Sequence, residues 1–145
     1  MYKLEYTKSK LLKEHHSLVI CADCDTVISD GAGIKPLIQA LEAVKNAADI
    51  TAADKIVGKA AAFLYVEAGV RAVFGEVMSR SATELFEQYG VQYEYQILTD
   101  NIINRQGNGL CPMEKTVQNI LEPSVAKKAI LKKMQELSQK NSSDI

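Results

Sequence analysis

Asp54–Lys55–Ile56–Val57–Gly58–Lys59–Ala60–Ala61–Ala62–Phe63–Leu64–Tyr65–Val66, followed by Gly69, is the stretch on which the fold class turns. Its body, Ala60–Val66, is apolar on every side, and a helix of that kind is enclosed by a sheet on one face and by other helices around it. The helix is expected to begin at Asp54 or Gly58 and to run to Ala68, with Gly69 as its stop. Upstream, Asn46–Thr51 reads as a link. Before it, Ile34–Lys45 keeps helical spacing through Leu37, Ile38, Leu41 and Val44, and Pro36 is tolerated in its first turn. Ser17–Ala22 and Thr26–Ser29 are β-branched runs around the turn residues Asp23–Cys24–Asp25, a hairpin. Leu4–Glu14 is a polar amphipathic helix resting on Leu11 and Leu12, and His15–His16 suit its carboxyl end.

Downstream, Val70–Met78 is a candidate central strand. Ser79–Tyr89 is a helix with Ser79 or Ser81 as N-cap and Gly90 as stop. Val91–Leu98 alternates Tyr93 and Tyr95 against Gln92, Glu94 and Gln96, the pattern of a half-exposed strand whose tyrosine face suits packing or an oligomer contact. Asn101–Gly109 is loop, Pro112–Leu121 a helix ended by Pro123, and Val125–Leu137 a basic amphipathic helix carrying Lys127, Lys128, Lys132 and Lys133. Gln139–Ile145 reads as a disordered end. Strands alternating with helices after an opening hairpin give an α/β fold, one mixed sheet with helices on both faces. The division expected is a domain over 1–122 and a basic helix with its tail over 123–145.

With 145 residues, 47% of them hydrophobic, the chain is long enough for one sizeable core and too apolar for a disordered protein. Seventeen basic side chains against 18 acidic ones leave a net charge of -1, so there is no bulk electrostatic case for nucleic acid. No apolar run approaches the roughly 18 residues of a membrane helix, and Met1–Lys10 lacks the apolar core of a signal peptide. Three cysteines point to a reducing cytoplasm rather than a disulfide framework.

Chemistry has few places to sit. Gly58–Lys59 at a helix start looks like a phosphate loop, but Ala53 and Ala60 stand where its first glycine and its magnesium-binding hydroxyl belong. What remains is a helix N-terminus that favours an anion, with Lys59 beside it. Lys55, four residues before Lys59, shares its face if the helix is continuous there, and Asp54 lies adjacent. In Asn104–Arg105–Gln106–Gly107–Asn108–Gly109–Leu110–Cys111–Pro112–Met113–Glu114, Arg105 is a bidentate reader of carboxylate or phosphate. Cys111 sits where a thiol can be activated, and Glu114 falls where it can cap its own helix. Cys21–Ala22–Asp23–Cys24 lacks the second Cys pair of a zinc site, and Gly31–Ala32–Gly33 lacks the third glycine of a dinucleotide fingerprint.

GIKPL at Gly33–Leu37, DKIVGKAAA at Asp54–Ala62 and NRQGNGLCPME at Asn104–Glu114 make the chain, from about Leu11 to Glu114, resemble a small bacterial family of unknown function assigned to the cytidine-deaminase-like fold. The resemblance implies a three-layer α-β-α sandwich with a ligand cleft at the starts of two central helices. In active deaminases those starts carry His-x-Glu or Cys-x-Glu and Pro-Cys-x-x-Cys around zinc. Here they read Gly58–Lys59–Ala60 and Met78–Ser79–Arg80–Ser81–Ala82, so zinc-dependent deamination is not expected and no cofactor is implied. The expectation is a metal-free domain that binds a small anionic or nucleotide-like molecule. Its ligand-binding candidates are Asp54, Lys55, Gly58, Lys59, Ser79, Ser81, Asn104, Arg105, Cys111 and Glu114. Lys59, Ser81, Asn104, Arg105 and Cys111 should ring one pocket. The alternatives are a metal-free enzyme using Lys59, with Cys111 as nucleophile, and a structural module that forms a homo-oligomer.

Overall fold

The computed structural model describes residues 4–23, 25–103, 107 and 109–143, with side chains through 138. The chain runs α1 (Leu4–Glu14), β1 (Leu18–Ala22), β2 (Asp25–Ser29), α2 (Ile34–Ala43), β3 (Ile50–Val57), α3 (Lys59–Ala68), β4 (Ala72–Ser79), α4 (Arg80–Tyr89), β5 (Gln92–Thr99), α5 (Pro112–Val117) and α6 (Pro123–Ser143). The five strands form one mixed sheet in the order β2-β1-β3-β4-β5. β1 is antiparallel to both neighbours, and β3, β4 and β5 are parallel. In the hairpin Ala22 pairs directly with Asp25, and Asp23 takes the positive φ (51°) that such two-residue turns demand.

Strand β3 corrects the sequence reading, which had Asn46–Thr51 as a link and allowed a helix from Asp54. Its first four residues are all buried, so it shows no period-two alternation. The reason lies in its place: β3 is the centre strand, covered on both faces, and such strands read as continuous apolar runs. Alternation also slips along it. Ala52 and Val57, of opposite parity, both join the main core, as do Val73 and Met78 on β4, while Ile56 is half exposed. Lys55 is therefore on a strand and Lys59 on a helix, and they share no helical face.

The sheet divides the interior in two. On one face α2, α3 and α4 pack on Leu18, Ile20, Ile50, Ala52 and Val73. On the other, Leu11 of α1 meets Val19, Cys21, Ala53 and Phe74. There Thr7 and Thr51 satisfy each other's buried hydroxyls at 2.7 Å. Helix α3 is enclosed as expected, with Ala60–Tyr65 all buried. Its outer side is covered by α6, whose Ala126 and Ile130 are fully buried, and by α5. Later boundaries differ from the sequence reading, α5 stopping at Val117 and not at Leu121. Pro123 opens α6 instead of merely ending α5, and α6 remains helical to Ser143, through most of the stretch expected as a disordered end.

Helix α1 stops without glycine. His15 adopts the left-handed conformation (φ 59°), and the His16 N–H reaches back to the Leu11 carbonyl at 3.1 Å. The imidazole of His16 bridges Glu14 (3.2 Å) and Asp30 (2.8 Å). The side chain of His15 is exposed, so His15→Gly relieves the strain of a Cβ at positive φ, offset in part by the greater freedom of glycine in the unfolded chain. It should stabilise the protein by about 0.5–1 kcal/mol in a urea titration.

Candidate functional site

Val57 and Met78 are register partners at the carboxyl ends of β3 and β4. Gly58 and Ser79, the next residues, therefore start α3 and α4 side by side at one end of the sheet. Ser79 is the N-cap of α4: its buried Oγ accepts from the Ala82 N–H (3.2 Å) and lies 3.1 Å from Ser81 Oγ. The segment after β5 folds back over the same end. Ile103 and Leu110 form an antiparallel bridge, and the Cys111 N–H donates to the Ile102 carbonyl at 3.0 Å. Cys111 is the N-cap residue of α5 and Pro112 its first helical position.

Glu114, the third residue of α5, does not cap its own helix. Its carboxylate caps α3, with Oε1 accepting from the Lys59 N–H and Oε2 from the Ala60 N–H, both at 2.8 Å. An anion at the start of α3 is what the free N–H groups and the helix dipole favour. The anion here is the chain's own. Gly58 makes room for it, because a Cβ on Gly58 would fall 2.6 Å from Glu114 Cδ and 2.7 Å from Ile102 Cγ1. Lys59 holds the other end of α5, its Nζ donating to the Gln118 carbonyl at 3.0 Å and lying 5.6 Å from the Phe63 ring centroid.

Of the ten candidates, Gly58, Lys59, Ser79, Ser81, Cys111 and Glu114 come together at this end of the sheet. Asp54 turns instead toward the interior beneath α3. The Tyr65 hydroxyl donates to Asp54 Oδ2 at 2.7 Å, and the Ile56 N–H lies 3.4 Å from Oδ1. Burial pushes the Asp54 carboxyl up to about 6, against the opposing effect of these hydrogen bonds. Burial, and then the Asp54 charge, pushes the Tyr65 phenol well above its ordinary value. Lys55 is exposed, and its backbone N–H donates to the Ser17 carbonyl beside β1, away from the group. Asn104, Arg105 and Cys24 lie outside the described residues. Two shallow depressions, about 370 and 210 Å³, lie elsewhere, by Lys115 and Lys133 and along the outer side of α1, and no candidate residue lines either.

Among the described residues no three His, Cys, Asp or Glu side chains are grouped to hold a metal. Cys21 is sealed in the α1-side cluster while Cys111 packs on the main core, so the sheet stands between them. Nor is any helix, among the described residues, long and apolar enough to cross a membrane. Sequence reasoning missed Tyr65 as the partner of Asp54 and Glu114 as the partner of α3. The second pairing spans 55 residues and leaves no local signal.

The chain matches the family TM1506, described as a domain of unknown function (DUF1893), over residues 6–134 and so past the quoted motifs into α6. No curated protein matches the chain. Among solved structures, the crystal structure of a DUF1893 family protein (TM1506) from Thermotoga maritima at 2.70 Å resolution is similar, with 25% identity and a TM-score of 0.82 over 90% of this chain and 88% of that one. Sequence match and backbone likeness agree over most of the length, and the chain belongs to the DUF1893 family.

Proposed function

We propose that the chain is a metal-free small-molecule binding or regulatory domain in the cytoplasm, built as a three-layer, cytidine-deaminase-like sandwich. Its ligand is an anionic or nucleotide-like molecule that competes with Glu114 for the start of α3. The sheet order with β1 reversed, and helices α3 and α4 starting side by side, support the fold reading. The observation that carries the functional reading is the Glu114 carboxylate itself, held two-pronged on the Lys59 and Ala60 N–H groups in a cradle that Gly58 leaves open. Each such charge-assisted bond contributes about 1.5–3 kcal/mol, so an incoming anion must replace both. A phosphate can, since it brings more oxygens and more charge, and Lys59 could exchange the Gln118 carbonyl for it. Leaving, Glu114 would free α5, which couples ligand binding to a change of surface.

Inorganic phosphate and a nucleoside monophosphate, titrated against the Lys59 and Ala60 amide resonances, test this. Wild type should respond weakly, and Glu114→Ala, lacking the internal competitor, at least about tenfold more tightly. If those amides stay still in both proteins up to millimolar anion, the ligand reading fails and Glu114 is a clamp between helices.

A further inference from the structure

β5 is the last strand of the sheet and has the features of an edge left open for pairing. It runs eight residues against β4 at one constant offset, from Ala72 with Gln92 to Ser79 with Thr99, so no bulge bends it away. Its sequence, Gln92–Thr99, contains no lysine, arginine or proline, the residues that usually protect an edge. The opposite edge, β2, is only five residues long and starts with an exposed Asp25. On β5, Tyr95 is 41% and Ile97 59% exposed, and Tyr95 stacks on Tyr93, which stacks on Phe86 of α4. The Gln92 N–H donates to the Arg71 carbonyl (3.1 Å). In a parallel ladder the backbone groups alternate, so those of Tyr93, Tyr95 and Ile97 face outward.

We propose that β5 pairs antiparallel with β5 of a second copy of this chain about a two-fold axis through Tyr95, making a continuous ten-stranded sheet. Charge selects the register. Outward-facing groups must meet outward-facing groups, so the axis passes through a residue and not between two. The near-palindrome Gln92–Tyr93–Glu94–Tyr95–Gln96 invites an axis through Glu94, but that sets Glu94 directly against the partner's Glu94, and like charges in opposed positions repel. Centring on Tyr95 sets Tyr95 against the partner's Tyr95, Tyr93 against the partner's Ile97, and Glu94 against the partner's Gln96. Glu94 also accepts from Lys8 of its own copy at 2.6 Å, and its side chain, 41% exposed, still meets the partner's strand. An axis through Gln96 keeps fewer apolar pairs and faces Glu94 with the partner's Leu98.

Light scattering after gel filtration should give twice 15.9 kDa for the wild type. Tyr95→Lys sets two ammonium groups against each other across the axis and should weaken the dimer at least about tenfold, with the circular dichroism spectrum unchanged. Gln96→Lys should do the reverse. It brings a lysine opposite the partner's Glu94 and tightens the dimer, whereas an axis through Gln96 would have it repel itself. A wild-type monomer, a dimer indifferent to a folded Tyr95→Lys, or a dimer weakened by Gln96→Lys would each overturn the proposal.

Discussion

Gly58→Ala is expected to destabilise the protein by about 2–4 kcal/mol, a large effect for one methyl group at a residue whose φ of -99° any amino acid adopts. The cost arises from occupancy and not from backbone strain. The added carbon lands on the Glu114 carboxyl and on Ile102. Glu114 must withdraw, which leaves the Lys59 and Ala60 N–H groups without their acceptor and breaks two charge-assisted bonds. Glu114→Ala alone should cost a similar amount. The two losses are the same loss counted twice, so the double variant should be little worse than Glu114→Ala, with a coupling energy of about 1–3 kcal/mol. Urea titrations of the four proteins give that coupling directly. Additive penalties would mean that Gly58 matters for the packing of Ile102 and that the carboxylate is incidental.

The same contact shows what could be read from the chain in advance. The enclosed character of α3, the hairpin, the Ser79 cap and the glycine stops at Gly69 and Gly90 are local in origin. Each depends on residues within a turn or two of one another, and each is found. β3 was hidden because a strand covered on both faces has no polar side to mark its period, and Asp54 and Lys55 near its end imitate a helix start. The site was half legible. Gly58 and Lys59 announce an anion position by residue type alone. The anion itself is supplied by a residue 55 positions away, and Glu114 standing three residues after Cys111 satisfies an ordinary capping rule just as well. Capping logic identifies the donor and the acceptor; only the fold decides which helix the acceptor serves. The latch and the open edge are independent devices: α5 closes on α3 beside the central strand, whereas β5 forms the outer margin of the sheet.

Asp54→Asn should make the protein more stable at neutral pH and no more stable in acid. The Asp54 carboxyl is raised by burial to about 6, against 3.8 for the free group. Below about pH 4 it is protonated in the folded and unfolded chain alike and contributes no difference. As pH rises from about 4 to 6 the unfolded chain releases this proton before the folded one does. The folded state then binds the extra proton, and its stability falls with rising pH. Above about pH 6 the penalty is complete and constant. A rise from 3.8 to about 6 corresponds to about 3 kcal/mol, and the part of Asp54 that still reaches solvent lowers the expected gain for Asn to about 1–3 kcal/mol at pH 7–8. The asparagine oxygen can still accept from Tyr65, so the substitution removes the charge and keeps the principal hydrogen bond. Measured as the difference between variant and wild type across pH 3.5–8, the contributions of other acids cancel. The curve should rise between about pH 4 and 6 and then level. In a Tyr65→Phe background the carboxylate loses the largest influence that lowers its pKa, so the rise should still begin near pH 4 and extend to higher pH. A flat difference curve would mean that Asp54 is hydrated under α3 and that the Tyr65 contact carries no charge.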